Sequence, residues 1–184
     1  MEAICLLRGI NVGGRNKIKM QVLKEICEDE GLASVETFIQ SGNVLFRTEE
    51  TDLVALGVRL EKAIEERCRF RPPVVMRSLA EMREAVGRNP FAGRPGIEPA
   101  KLLVNFLART PSAEQRERVL AIPVSPEELH VEGSEVFIYF PNGIGKSKLP
   151  TAKIDKATGT TGTGRNWNTV LKLLEMAEEL ARVK

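Results

Sequence analysis

Hydrophobic residues along the chain fall into short runs and helical stripes that alternate in a regular order. Ala3 to Leu7 are uniformly apolar, which predicts a strand covered on both faces. After a loop from Gly9 to Asn16, the spacing Met20, Leu23, Ile26, Cys27 is helical, and Gly31 stands where a C-terminal glycine would end that helix. Val35 to Ile39 and Val44 to Phe46 are rich in β-formers and flank Gln40-Ser41-Gly42-Asn43, whose Ser-Gly pair signals a hairpin. Leu53, Leu56, Leu60 and Ile64 mark a second helix, weakened by Gly57 at its middle, and Val74 to Met76 predicts a fourth strand. The order is βαββαβ, that of a ferredoxin-like unit with two helices on one face of a four-stranded sheet.

A helix from about Ser78, with Glu81 placed for a capping box, leads into Asn89 to Ala100, which is rich in Pro and Gly. Beyond it the order returns. Leu102 to Leu107 predicts a strand, and Thr110 as N-cap with Pro111 at the first helical position predicts a helix. Leu129 to Val131 and Val136 to Phe140 predict two strands around Glu132-Gly133-Ser134. A short lysine-bearing helix follows Pro150, then a Thr/Gly run, then a final helix from about Asn168 to Arg182. The second half thus shows βαββα, with its last strand unassigned. The expected fold class is α+β, with two tandem ferredoxin-like (βαββαβ) halves and an extra C-terminal helix. Residues 1–88 form the N-terminal half, 89–100 a connecting loop, and 101–184 the C-terminal half with the terminal helix.

At 184 residues and 42% hydrophobic, the chain has material for a substantial core, which excludes disorder as its main state. Its opening residues carry no basic leader, and the apolar run at 3–7 is too short for a signal peptide or a membrane span, so a cytoplasmic location without membrane contact is expected. Cys5, Cys27 and Cys68 are odd in number, far apart and set among apolar residues, as expected of reduced thiols in a core. Net charge is only +2, yet its distribution is uneven. Arg8, Arg15, Lys17, Lys19 and Lys24 occupy residues 8–24 without an acid among them. Lys146, Lys148, Lys153, Lys156 and Arg165 face only Asp155 within residues 141–168, so the remainder of the chain is net acidic.

A weak echo links the halves: Gly14-Arg15-Asn16, with Leu23 and Glu25 beyond, is matched by Gly164-Arg165-Asn166, with Leu173 and Glu175 beyond. Chance accounts for so few matches as well, and convergence on a useful loop weighs as much as common descent. Five segments then carry a resemblance: Leu6-Leu7-Arg8-Gly9-Ile10-Asn11-Val12-Gly13-Gly14, Ile39-Gln40-Ser41-Gly42-Asn43-Val44, Asn89-Pro90-Phe91, Gly143-Ile144-Gly145-Lys146-Ser147-Lys148-Leu149 and Arg165-Asn166-Trp167-Asn168-Thr169. Together, and in this order, they resemble the bacterial domain-of-unknown-function family 1697. The resemblance implies a duplicated α+β fold in an intracellular bacterial protein and transfers no activity or catalytic residue. Thr158 to Gly164 departs from the family's usual approach to the Arg-Asn-Trp motif.

Candidate chemistry concentrates in Arg8 to Lys19. Glycines at 9, 13 and 14 let backbone amides approach a ligand, and a helix N-terminus with two cations follows, a combination suited to anions. The spacing of Gly9 and Gly14 imitates a P-loop, but Arg15-Asn16 stands where Lys-Ser/Thr is required. Gly145-Lys146-Ser147 has the right ending, with Phe140 in place of the leading glycine. Neither is a nucleotide-hydrolysing loop. The alternative for the first loop is a turn whose glycines merely need unusual dihedrals.

In the C-terminal motif Arg165 and Trp167 would bind a phosphate and stack a base. Alternatively, Asn166 or Asn168 caps the helix and Trp167 is a packing anchor. If the two Gly-Arg-Asn loops converge, Arg15, Lys17, Arg165, Lys146 and Lys148 would ring one anionic ligand. The full candidate ligand-binding set is Arg8, Asn11, Gly13, Gly14, Arg15, Asn16, Lys17, Ser41, Asn43, Lys146, Ser147, Lys148, Arg165, Asn166 and Trp167.

Phe137 and Tyr139 alternate as in an RNA-recognition sheet, although the opposite face is equally apolar and fits a buried strand. His130 is the only histidine and has no metal-ligand companion at useful spacing, so neither a hydrolytic triad nor a histidine-based zinc site is expected, and no cofactor is implied. The leading expectation is a non-metallic module that binds a nucleotide, nucleic acid or other anionic ligand. One alternative is an enzyme acting on a small phosphorylated or carboxylated substrate, held by Arg8, Arg15 and Arg165. Another is an interaction protein whose motifs are structural.

Overall fold

Strand β1 (Glu2–Leu7) lies between β3 (Asn43–Arg47) and β4 (Val74–Ser78), and β2 (Ala33–Phe38) closes the sheet beyond β3. From Ala3 to Leu7 every side chain of β1 is buried, which explains a strand sequence without alternation. This sheet and the helices on it belong to a computed structural model that describes residues 1–147, 149 and 151–182. The described chain is a mixed α+β structure with two four-stranded antiparallel sheets and six helices. By its contacts it divides into two units, Met1–Arg83 with Lys172–Lys184, and Glu84–Leu171.

In the first unit, α1 (Met20–Asp29) and α2 (Leu53–Cys68) set Leu23, Ile26, Cys27, Leu56, Leu60 and Ile64 onto Ala3, Cys5, Leu7, Val44 and Phe46 of the sheet. Helix α1 ends as expected at Gly31. That residue has φ 83°, its N–H reaches the Glu28 carbonyl at 3.0 Å, and the Leu32 N–H reaches the Cys27 carbonyl at 3.2 Å. This is a Schellman pair in which only glycine avoids steric cost. Asp52 caps α2 by accepting the Ala55 N–H at 2.9 Å. Gly57, a weakness on helix propensity, lies where α2 meets β4, and a Cβ there would stand 3.2 Å from Met76 Cγ.

Ser78 opens α3 (Leu79–Gly87) through the expected box: Glu81 Oε2 accepts the Ser78 N–H at 2.7 Å, and Ser78 Oγ accepts the Glu81 N–H at 3.2 Å. The last helix, α6 (Trp167–Arg182), is tied to the first unit near its end. There the Arg83 guanidinium bonds Glu178 at 2.9 Å and Arg47 donates to the Leu180 carbonyl.

In the second unit, β5 (Leu102–Leu107) lies between β7 (Glu135–Tyr139) and β8 (Gly162–Asn166), with β6 (Glu128–Glu132) beyond β7. Helices α4 (Ala113–Leu120) and α5 (Thr151–Thr158) cover a core of Leu107, Val119, Val131, Val136, Ile138, Phe140 and Ile154. Phe137 and Tyr139 are buried as well, so this strand is core on both sides.

Three expectations change. Ser112, not Thr110, caps α4, because Ser112 Oγ accepts the Gln115 N–H at 3.2 Å while Gln115 Oε1 accepts the Ser112 N–H at 2.8 Å; this reciprocal pair is unavailable to Thr110. The Thr/Gly run contains the unassigned strand: β8 pairs with β5 from Leu103↔Asn166 to Leu107↔Gly162. Its glycines admit close neighbours, since a Cβ on Gly162 would meet the Asn105 side chain at 2.6 Å. Finally, part of the expected connecting loop 89–100 is packed on the second sheet. Phe91 is buried edge-on to His130 at 5.1 Å and against Tyr139 at 5.7 Å, and the Tyr139 hydroxyl donates to the Gly96 carbonyl at 3.2 Å.

Candidate functional site

Where β1 ends, the backbone is held from both sides. The Leu7 N–H donates to the Gly42 carbonyl at 2.8 Å and the Arg8 N–H to the Pro73 carbonyl at 2.9 Å. From there the chain rises into a finger whose two feet, Ile10 and Ile18, are buried. Between them the Asn11 N–H donates to the Asn16 carbonyl at 3.1 Å and the Arg15 N–H to the Val12 carbonyl at 3.1 Å, so Val12 and Arg15 pair antiparallel across Gly13-Gly14. Those glycines have φ 57° and 76°, the two positive values that a type I′ turn demands. Gly13 and Gly14 are thus used for their backbone freedom.

The asparagines hold the finger upright. Asn11 Oδ1 accepts the Ile18 N–H at 2.9 Å, and Asn11 Nδ2 donates to the carbonyls of Ile18 and Gln40, each at 3.0 Å. Asn16 Nδ2 donates to the Gly9 carbonyl at 3.1 Å. Both sit in the left-handed region, at φ 54° and 48°, which Asn tolerates better than most residues. Their side chains are therefore employed within the protein. Ser41 and Asn43 are employed similarly in the neighbouring turn, where buried Asn43 Nδ2 donates to the Phe38 carbonyl and to Ser41 Oγ, both at 3.0 Å. Between them a Cβ on Gly42 would lie 2.7 Å from Leu7 Cβ and 2.8 Å from Ile10 Cδ1.

What the finger presents outward is charge and one aliphatic side chain. Arg15 and Lys17 on the finger, and Lys19 just beyond its foot, are exposed, and their side chains have no hydrogen-bond or ion-pair partner among the described residues; Arg8, at the base, is half-buried. Several cations elsewhere in this unit are paired with carboxylates: Arg59 with Glu30 and Glu50, Arg67 with Glu25 and Asp29, and Arg71 with Glu61 and Glu65. Val12, beside the tip, is 67% exposed, and Ile39, next to the Gln40 that Asn11 holds, is 51% exposed with φ 48°. A β-branched residue in that region is an outlier. Sequence reasoning missed Val12 and Ile39, since an aliphatic residue in a short run gives no sign that it will be left in water.

The remaining candidates lie in the second unit. Gly164-Arg165-Asn166 forms a strand and not a loop. Arg165 is buried, and its Nη1 donates to Thr163 Oγ1 at 2.8 Å and to the Gly164 carbonyl at 2.9 Å. The cause is pairing with β5, which takes the whole triplet into the sheet edge. Asn166 caps α6: its Oδ1 accepts the Asn168 N–H at 3.1 Å while its Nδ2 donates to the Ala100 carbonyl at 2.8 Å. Trp167 is buried with its ring 6.3 Å from that of Phe137. The two Gly-Arg-Asn triplets are therefore structurally unlike.

Lys146, exposed at the end of a 3₁₀ turn, lines with Lys153, Asn142 and Glu127 an open groove of about 300 Å³. Ser147 Oγ accepts the Leu149 N–H at 3.0 Å, and Lys148 lies outside the described residues.

Among the described residues no three His, Cys, Asp or Glu side chains gather as metal ligands. His130 packs on Phe91, and Glu128 beside it is held below the usual carboxylate range by its hydrogen bond from Arg94. Burial pushes the Cys27 thiol up to about 12. No helix among the described residues is long and apolar enough to cross a membrane.

Comparison with known proteins agrees with this picture at the level of fold. The conserved bacterial protein SP0830 from Streptococcus pneumoniae superposes with a TM-score of 0.75 at 24% identity, over 96% of this chain and 98% of its own. No curated protein matches. The profile of the family described as "Protein of unknown function (DUF1697)" matches residues 1–137, which include the finger, the turn at Ser41 to Asn43 and Phe91. The chain belongs to that family.

Proposed function

We propose that the chain is a non-metallic anion-binding module that takes a phosphate-bearing ligand, a nucleotide or nucleic acid, on the basic finger. The observation carrying this reading is the pair of exposed, unpartnered cations Arg15 and Lys17 on a hairpin whose backbone is fixed by Asn11 and Asn16. A rigid finger places its charges without the ordering cost that a mobile loop would carry on binding. Phosphate oxygens are suitable partners, because Arg offers a planar fork of donors and Lys a compact charge.

The same reading treats each unit as a ferredoxin-like half of a duplication. It is supported by the matching strand orders β2-β3-β1-β4 and β6-β7-β5-β8 and by the βαββαβ succession in both. It also takes the protein to act in the cytoplasm.

The test is a binding panel of inorganic phosphate, nucleotides and oligonucleotides, read by thermal shift and by fluorescence anisotropy. A ligand of the native state raises the melting temperature as its concentration passes Kd. The double variant Arg15→Glu, Lys17→Glu should lose that shift while melting, without ligand, where the parent melts. Unchanged affinity in a folded double variant would remove the finger as the site.

A further inference from the structure

The finger is convex, and convexity bears on the kind of phosphate ligand. Small ligands are held in concave sites that bury most of their surface. Here residues 12–17 are all exposed, Val12 to 67%, a Cβ on Gly13 or Gly14 would meet nothing within 4 Å, and Arg15 and Lys17 follow on the arm that ends at buried Ile18. Such a projection encloses nothing, but it can be enclosed.

Its dimensions suit one groove. Val12 opposite Arg15 is a single antiparallel bridge closed by Gly13-Gly14, with Asn11 and Asn16 turning out of the extended region on either side, so the two arms of the tip lie about 5 Å apart at the spacing of paired strands. The major groove of B-DNA is about 12 Å wide and about 8.5 Å deep and admits a two-stranded ribbon. The major groove of an RNA duplex is too narrow for side chains to read. Glycine at both tip positions removes the side chains that would otherwise stop the backbone short of the groove floor.

The chemistry follows the shape. An aliphatic side chain that reaches the groove floor meets the C5-methyl group of thymine, the apolar mark that this groove displays. Cations on the flank meet the phosphates at its rim, where each contact releases counterions. Single strands are held differently, by aromatic platforms on which bases stack, and the finger presents a valine where such a ring would be needed.

We propose that the finger enters the major groove of duplex DNA, with Val12 against thymine methyl groups and Arg15 and Lys17 against the phosphate backbone. This rests on the anion-binding reading above and narrows it to one polymer.

The experiment is fluorescence anisotropy with the full chain on matched duplexes containing thymine or uracil, on an RNA duplex and on single strands, each over a range of salt. The parent should prefer duplex DNA and lose about fourfold per contacted methyl when thymine becomes uracil, the factor that burial of one such group supplies. Val12→Ser should erase the thymine–uracil difference and leave the salt dependence as it was. Arg15→Gln should lower the slope of log K against log salt by about 1, and Lys62→Gln, on α2, should leave it unchanged. All three substituted residues are exposed, and melting temperatures equal to the parent's show that the fold is kept. Equal or tighter binding to RNA or single strands, or indifference to thymine, overturns the groove inference and leaves the anion reading standing. Finger-dependent binding of mononucleotides or phosphate without duplex binding does the same. If no phosphate compound binds, both fall.

Discussion

Asn11 is the residue on which the finger depends. One side chain closes the loop through Ile18 and joins it to the neighbouring turn through Gln40. Asn11→Ala removes these three bonds and leaves the Ile18 N–H and two carbonyls to water, which should cost about 1–2 kcal/mol of stability. Hydrogen exchange at the Ile18 amide should quicken by more than the global loss of stability explains, since the finger loosens first. Exchange that tracks global stability alone would show that the backbone bonds suffice.

Cys27 makes a second argument at this scale. Its thiol is buried on α1, and burial, with smaller contributions from Glu28 and Glu30, raises its pKa from 9.0 to about 12. The unfolded chain therefore releases this proton first. The stability contributed by the protonated thiol is complete below pH 9.0 and declines as the pH rises toward 12, by on the order of 1 kcal/mol per pH unit. Denaturant unfolding of the parent and of Cys27→Ala, compared between pH 8 and 11, should show the parent falling more steeply. Parallel curves would refute this origin.

Among the elements, the β2–β3 turn shows how a short connection can control a site. Gly42 has φ 78°, its carbonyl receives the Leu7 N–H, and its Cα faces Leu7 and Ile10, the latter a foot of the finger. Gly42→Ala adds a methyl group 2.7 Å from Leu7 Cβ in a backbone region that alanine avoids. The expected loss is about 2–4 kcal/mol, combining left-handed strain with overpacking. Chemical denaturation measures it, and a loss below about 1 kcal/mol would mean that the turn shifts freely. The contrast with β8 is instructive. Both segments use glycine to let neighbours approach, but at Gly162 the approaching group is Asn105 on the adjacent strand, so the glycine serves pairing and not a turn.

For the whole molecule, total charge is a poor guide and its placement a good one. Net charge is only +2, and ion pairs on α1 and α2 neutralise Arg59, Arg67 and Arg71, while Arg15 and Lys17 stay unpartnered. Arg15→Glu and Lys62→Glu each bring the net charge from +2 to 0. Only the first should weaken binding of the phosphate ligand in the anisotropy assay, because ligand steering follows the local field. Equal losses from both would point to diffuse attraction without a site.

Much of the architecture was legible in the sequence because burial leaves a periodic trace. The apolar run of β1, the stripes of α1 and α2, the ending at Gly31 and the box at Ser78 and Glu81 all follow from local rules that hold before any long-range contact forms. Strand β8 left no such trace. Gly-Thr-Gly-Arg-Asn becomes a strand because β5 offers it a free edge, and that partner is far away in sequence. The same long-range pairing separates the two Gly-Arg-Asn triplets. Sequence by itself determined that residues 8–24 are basic and that the loop has glycines where its backbone must turn. Only the tertiary structure decided that Asn11, Asn16, Ser41 and Asn43 spend their hydrogen bonds inside the protein, that Arg165 is buried, and that Val12 and Arg15 face water. Those outcomes depend on which partner reaches each polar group first, and that is set by packing and not by spacing.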